Sequence, residues 1–193
     1  MQNLGMHAAI AGYRRKKNPV VLMNVLHEIE ITQWLKTFKN IESVLDDNGI
    51  LIFIEVLSLT KGEQPYGNNG YLVLQDEQVK KLFAAPKIRN CRVGSKEKSN
   101  CWVLTKALAR NVTQGTITNS LHSLSDSSYM ALRTEYQKKI DYAHGTADDQ
   151  QKLIAARNYD FLSQQYINAE LALEVLAKRE EKSLIIPEFL KTK

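Results

Sequence analysis

Two short apolar runs, separated by a segment of helical period, constrain the fold of this chain more than any other feature. The first run covers residues 20–26 and is interrupted only by Asn24, and the second covers residues 50–54 and is followed by Glu55. Short apolar runs joined by a helix are typical of a βαβ unit, in which parallel strands are buried on both faces. We therefore predict two parallel strands, the first of them central in an α/β sheet, joined by a right-handed crossover.

The crossover helix is predicted over residues 32–45 from one apolar stripe. Asn48 or Gly49 is predicted to supply the left-handed residue that closes this helix. The stripe consists of Trp34, Leu35, Phe38, Ile41 and Leu45.

Residues 57–106 complete the predicted sheet. A second crossover helix is expected over residues 75–85, stopped by Pro86. Strands at 87–93 and 100–106 are too close in sequence for a helical crossover, so we predict that they pair antiparallel. The polar loop before the second helix is long enough to fold over a ligand, and a plain surface loop is the alternative. Its glycines and tyrosines are Gly62, Tyr66, Gly67, Gly70 and Tyr71.

Polar residues follow both apolar runs. His27 and Glu28 come directly after the first run, and Glu55 ends the second. The ligand crevice of an α/β sheet lies at the carboxyl ends of its strands, so these side chains are candidate site residues. An imidazole titrates near neutrality and can take a proton from a hydroxyl or amine. Asn24 must be hydrogen-bonded if it is buried, and it either caps a neighbouring backbone group or faces a ligand.

Residues 20–29 read VVLMNVLHEI, an amphipathic helix with Trp34 follows, and residues 45–55 read L-x-x-x-G-x-L-x-F-x-E. Over residues 20–108 this pattern resembles the carboxyl-terminal half of class I S-adenosylmethionine-dependent methyltransferases. In that family the fourth strand often ends N-x-L-H-[ED] and the fifth ends on an acidic residue. The resemblance implies a partial Rossmann-like methyltransferase sheet, whose last strand inserts antiparallel, and methyl transfer to an unidentified oxygen, nitrogen or carbon acceptor.

The resemblance also implies roles for individual residues. His27 would be the base, Glu28 and Glu55 would orient it or contact substrate, and the cofactor's outer wall would include Asn24, Val25 and Leu26. Alternatives stay open for each of the three polar candidates. His27 is alternatively explained as a substrate or cofactor contact or as a structural residue, Glu28 as a helix cap or a lysine partner, and Glu55 as a cap of the following loop.

The glycine-rich cofactor loop of that family, and the acidic residue that ends its second strand, are not visible in the sequence. Nineteen residues precede Val20, whereas a single βαβ unit needs about thirty. We therefore expect a carboxyl-terminal half-domain at 19–108, inactive alone, whose other half comes from a longer chain or a partner protein. The alternative is a non-catalytic protein-interaction module built on a degenerate methyltransferase fold.

The remaining residues predict a helical extension. Residues 109–124, rich in Ser, Thr and Asn, are interpreted as a linker, and residues 125–193 as two helices broken at His144-Gly145. The first helix is predicted from Ser125 or Asp126 to Tyr142, and the second begins with a capping-box-like Thr146–Asp149 segment and runs to about Lys182. Their apolar seams consist of Tyr129, Leu132, Tyr136 and Ile140, and of Tyr159, Leu162, Tyr166, Ala169, Leu173 and Leu176.

Charge and composition bound the partners and the compartment. The net charge of +5 comes from residues 1–106, which carry 15 basic and 10 acidic side chains. Four of the basic side chains form a run at residues 14–17, within an N-terminal segment, residues 1–18, that is otherwise predicted to be irregular. That run is interpreted as a solvated segment, with nucleic-acid binding as a minor alternative because no aromatic residues are interleaved.

No apolar run approaches a membrane span of about 20 residues. Two cysteines without an export signal fit the cytoplasm, and the scattered histidines predict no metal site.

Overall fold

The computed structural model describes residues 19–58, 70–94, 98–145 and 148–184. The basic segment at 1–18 and the loop residues Gly62, Tyr66 and Gly67 lie outside this part of the chain. The elements in chain order are β1 (Val20–Met23), a 3-10 turn (Leu26–Glu28), α1 (Ile31–Val44), β2 (Ile50–Val56), α2 (Asp76–Leu82), β3 (Asn90–Val93), β4 (Ser99–Thr105), α3 (Lys106–Arg110), α4 (Gln114–His144) and α5 (Asp149–Leu184).

The four strands form one mixed sheet in the order β1-β2-β4-β3. β1 and β2 are parallel, with Val20 opposite Leu51 and Met23 opposite Ile54. β4 lies between β2 and β3 and is antiparallel to both. The predicted parallel pair, its crossover helix and the antiparallel hairpin are therefore confirmed, and the fold class is α/β.

The prediction that the first strand is central and spans residues 20–26 is wrong. Among the described strands β1 lies at the edge of the sheet, and it ends at Met23. Val21 and Met23 are 54% and 55% exposed. β2 is the strand that is buried on both faces. The chain leaves β1 at Asn24, whose φ of +51° is left-handed and turns the backbone out of the strand.

The end of α1 also differs from the prediction. Neither Asn48 nor Gly49 has a positive φ, and the helix ends through Leu45, which is extended. Gly49 is required for another reason, because a Cβ there would lie 2.9 Å from the carbonyl oxygen of Asp46.

All the described helices that contact the sheet cover the same face. The sheet contributes Leu51, Phe53, Trp102 and Leu104 to this core, and the helices contribute residues of α1, α2, α4 and α5. The opposite face carries a smaller apolar cluster, to which the described helices contribute nothing: Ile50, Ile52, Ile54, Val93 and Cys101.

The linker predicted at residues 109–124 is helical in the structure. A capping box between Thr113 and Thr116 starts α4, and Leu121 is completely buried in the core. Ser120 donates a hydrogen bond to the carbonyl oxygen of Gln78 on α2, at 2.9 Å. Low helix propensity is overridden here because the serines bond across the helix interface while apolar residues at helical spacing pack inward.

α4 and α5 form the predicted αα-hairpin, broken at Gly145. Asp148 and Gln151 form the capping box of α5, two positions beyond the expected start of the motif at Thr146. The predicted seam of α4 is largely exposed, although Tyr129 contacts Tyr166 and Tyr136 contacts Tyr159 on α5. Despite their length, neither of these helices, nor any other described one, has the apolar stretch that a membrane crossing requires.

Cys91 and Cys101 lie directly opposite each other on β3 and β4, and both thiols are free. Burial, with a smaller contribution from Cys91, raises the pKa of the Cys101 thiol to about 12. Only a thiolate reacts with alkylating agents, so Cys101 stays protonated and unreactive at pH 8.

We expect iodoacetamide to modify half-buried Cys91 in the folded protein and Cys101 only after unfolding, as peptide mass spectrometry would show. Cys91→Ser should abolish native labelling, and labelling of Cys101 at the same rate as Cys91 would contradict this assignment.

Candidate active site at the carboxyl edge of the parallel strands

His27 and Glu55 form a buried pair where β1 and β2 end. The 3-10 turn after β1 directs His27 inward, and Glu55 is the penultimate residue of β2. Nδ1 of His27 donates a hydrogen bond to Oε1 of Glu55 at 2.5 Å. The two side chains are 3% and 0% exposed. The structure thus brings together two of the three residues predicted as catalytic.

This hydrogen bond fixes the tautomer of the imidazole. An ionised carboxylate only accepts hydrogen bonds, so the proton of neutral His27 sits on Nδ1 and Nε2 is the basic nitrogen. Nε2 lies 4.0 Å from Oε1 of Glu28, which is too far for a hydrogen bond. Glu28 lies beside the pair with its side chain partly exposed. It neither caps α1, whose N-cap is Glu30, nor forms a lysine ion pair within the described residues.

Tyr71 covers the imidazole from the segment that precedes α2. Its ring meets His27 edge-on, with the ring centroids 5.4 Å apart, and the side chain is buried. Gly70 beside it has a φ of +63°, and a Cβ there would lie 2.6 Å from Oδ1 of Asn168. Tyr71 is therefore a residue of the polar loop that does reach the candidate site, where its ring contacts His27.

Helix α5 holds Tyr71 in this position, a role that sequence reasoning missed. The carbonyl oxygen of Tyr71 accepts hydrogen bonds from Nε2 of Gln165 at 3.2 Å and from Nδ2 of Asn168 at 2.8 Å. Oε1 of Gln165 accepts a further bond from the amide of Val73. The predicted seam gave no signal for this role, because it steps from Leu162 to Tyr166 and passes over Gln165.

Two buried acceptor atoms at the site have no hydrogen-bond partner within the described part of the chain. They are Oε2 of Glu55 and Oδ1 of Asn24. The amide of Asn24 donates to the carbonyl oxygen of Ile54, so the backbone of Asn24 is bonded to the residue preceding Glu55. Buried polar atoms are nearly always bonded, and two acceptors of this kind match a ligand that carries N–H or O–H groups. Among the described residues, the side chain of Asn24 caps no neighbouring backbone group, which was one of the two alternatives for it.

The other two residues predicted to line the cofactor have different environments. Leu26 is completely buried in the hydrophobic core, whereas Val25 is 40% exposed. Within the described residues, no three His, Cys, Asp or Glu side chains lie together as a metal site would require.

A row of polar side chains continues across the sheet from Glu55. Strand pairing places Asn100 of β4 opposite Glu55, and Arg92 of β3 opposite Asn100. Directly opposed residues share a face, so all three project toward the helices. Asn100 is buried and accepts a long hydrogen bond from Asn90 at 3.4 Å.

The candidate site is thus a histidine–glutamate pair with unsatisfied acceptors at the carboxyl edge of two parallel strands. Its geometry has to support any function by itself, because comparison of this chain with protein-family models, curated proteins and solved structures found no match.

Proposed function

We propose that this chain provides the carboxyl-terminal half of a methyltransferase that uses S-adenosylmethionine. The observation that carries the proposal is the buried His27–Glu55 pair, which lies beside two unsatisfied acceptors where parallel strands end. The strand order gives further support. β4 lies antiparallel between β2 and β3, which is the closing arrangement that the methyltransferase resemblance implies.

His27 would act as the general base. S-adenosylmethionine, when bound, would supply an electrophilic methyl group on a sulfonium. As the acceptor's oxygen or nitrogen would bond to that methyl carbon, the carbon–sulfur bond would break and leave the neutral thioether S-adenosylhomocysteine, while Nε2 of His27 would take the acceptor's proton. Glu55 keeps the imidazole in the required tautomer and stabilises the imidazolium that forms.

The two unsatisfied acceptors fit the donors that this reaction brings to the site. Oε2 of Glu55 and Oδ1 of Asn24 suit either the ammonium group of the cofactor or an N–H or O–H group of the methyl acceptor. The described residues do not supply a glycine-rich turn between a strand and a helix, which the nucleoside part would need. We propose that strands paired with the exposed edge of β1 supply it, either from upstream residues or from a partner protein.

Titration calorimetry with S-adenosylmethionine tests the proposal. We expect no binding heat for the chain alone, and heat after co-expression with the polypeptide encoded immediately upstream. Met23→Asp should abolish the gain because Met23 is on the exposed edge strand, and the equally exposed Met130→Asp on α4 serves as its control. Absence of heat from the co-expressed material would rule out upstream residues as the source of the missing strands, and binding heat that is unchanged by Met23→Asp would contradict the pairing of those strands with β1.

A non-catalytic interaction module is the second candidate. It is favoured by apolar side chains that remain exposed near the tip of the hairpin: Tyr136, Ile140, Leu153 and Ile154. An interaction module would keep its partner affinity when the buried pair is altered. His27→Gln and Glu55→Gln therefore distinguish the two candidates, since only a methyltransferase needs both side chains for turnover.

A further inference from the structure

We propose that a groove beside the His27–Glu55 pair, here called the rim groove, binds the carboxylate end of an aromatic methyl acceptor. The rim groove has a volume of about 620 Å³ and lies between the sheet, α2 and the hairpin. Its lining includes Gln78, Lys81, Arg92, Asn100, Ser127 and Phe161. Sites for small organic ligands commonly enclose roughly 300–1,000 Å³, so the groove has the size of one.

The strand register places this groove next to the candidate base. Asn100 is part of the groove wall and is paired directly with Glu55, while Arg92 is the next residue along the same row. Neighbouring strands are about 4.8 Å apart, so the backbones of Glu55 and Arg92 are separated by about 10 Å. One aromatic ring with a substituent at each end spans such a distance.

The charges of the groove favour an anion. Lys81 and Arg92 line it, and neither has an ion pair among the described residues. The acidic lining residues Asp76 and Glu77 share one cation, Lys80, at 2.7 and 2.8 Å, so these three side chains together carry one negative charge. Because Lys81 and Arg92 add two positive charges, the net charge around the groove is +1. Oδ1 of Asp76 also accepts a hydrogen bond from the indole of Trp102. A carboxylate matches the two remaining cations, and the arginine can bind it in bidentate fashion.

The rest of the lining fits a planar, partly apolar body. Phe161 and Leu162 of α5, with Leu124 of α4, give the groove an apolar side. On another side, Nε2 of Gln78 is held by hydrogen bonds to Ser123 and Ser127, so this amide is already oriented. The arrangement selects a hydroxy- or amino-substituted aromatic carboxylate, whose O–H or N–H group would lie toward Glu55 and His27.

This inference rests on the proposed function only in calling the ligand a methyl acceptor. Binding of the carboxylate requires neither the cofactor nor turnover. The groove can therefore be tested on the full chain alone, and the result is independent of whether methyl transfer occurs.

The test is NMR titration of the full chain with 4-hydroxybenzoate and with its uncharged analogue 4-hydroxybenzamide. We expect the carboxylate to bind about tenfold more tightly, because two exposed cations each contribute roughly three- to fivefold. Arg92→Gln and Lys81→Gln should each remove their share of this preference, and the double variant should bind both compounds equally. Arg89→Gln is the matched control, because Arg89 is exposed on the same segment but does not line the groove.

Two outcomes would overturn the inference. One is that the unmodified chain shows no preference for the carboxylate, because it binds the two compounds with equal affinity or binds neither of them at 10 mM, about the weakest affinity such contacts would give. The other is a carboxylate preference that survives in the double variant, since the anion would then be bound elsewhere. Methyl transfer in the assembled enzyme alongside either outcome would refute the groove assignment and leave the proposed function standing.

Discussion

Replacing His27 with alanine should lower the turnover of the proposed methyltransferase, once assembled, about 100-fold or more, which is the usual contribution of a positioned general base. Nε2 is the nitrogen assigned to accept the proton, because Nδ1 already donates to Glu55. When turnover is measured across pH, the part of its pH dependence that comes from the imidazole should be absent in the variant. His122→Ala is the control, since His122 is exposed on α4 and far along the chain from the pair. An unchanged rate, with lowered stability alone, would identify His27 as a structural residue.

The same substitution should also destabilise the fold, and this must be measured separately. Without His27 the carboxylate of Glu55 keeps, among the described residues, only the bond from the amide of Val56, although it is completely buried. Leaving a buried charge without its partner costs about 3–5 kcal/mol. His27→Gln, which retains a donor side chain, should recover part of this loss of unfolding free energy but none of the turnover. Urea unfolding monitored by circular dichroism separates these effects.

The sequence was sufficient for features that depend on local pattern. The buried strand β2 and the amphipathic α1 follow from apolar spacing, and His27 and Glu55 meet because parallel strands end at the same edge of a sheet. The edge position of β1 was missed, because an apolar run does not show how many neighbours a strand has, and here Val21 and Met23 are exposed although they belong to such a run. Asn24 was expected within the strand, whereas its left-handed backbone ends it.

Features that depend on distant residues could not be predicted. The first three turns of α4 are rich in Ser and Thr, and their helical state depends on contacts such as that of Ser120 with Gln78, 42 residues away. Similarly, Gln165 fixes the segment that covers His27, although 94 residues separate it from Tyr71. A single sequence carries no local signal for such contacts. The hairpin was therefore interpreted as an extension, whereas in the structure its base belongs to the core beside the sheet.

That difference predicts the effect of a substitution on the hairpin. Leu121→Ala should lower the free energy of unfolding by about 2–5 kcal/mol, because Leu121 is completely buried and its loss leaves a cavity. Met130→Ala on the same helix is the matched control and should change stability by less than about 0.5 kcal/mol, since Met130 is 59% exposed.

The fluorescence of the two tryptophans makes this test specific. Trp34 lies in α1 and Trp102 in β4, so their emission reports the sheet side of the core and not the hairpin. If the hairpin base and the sheet form one cooperative core, Leu121→Ala shifts the fluorescence transition in urea together with the helical signal in circular dichroism. A fluorescence transition that stays at its original urea concentration, while the helical signal moves, would mean that the hairpin unfolds as an independent appendage after all.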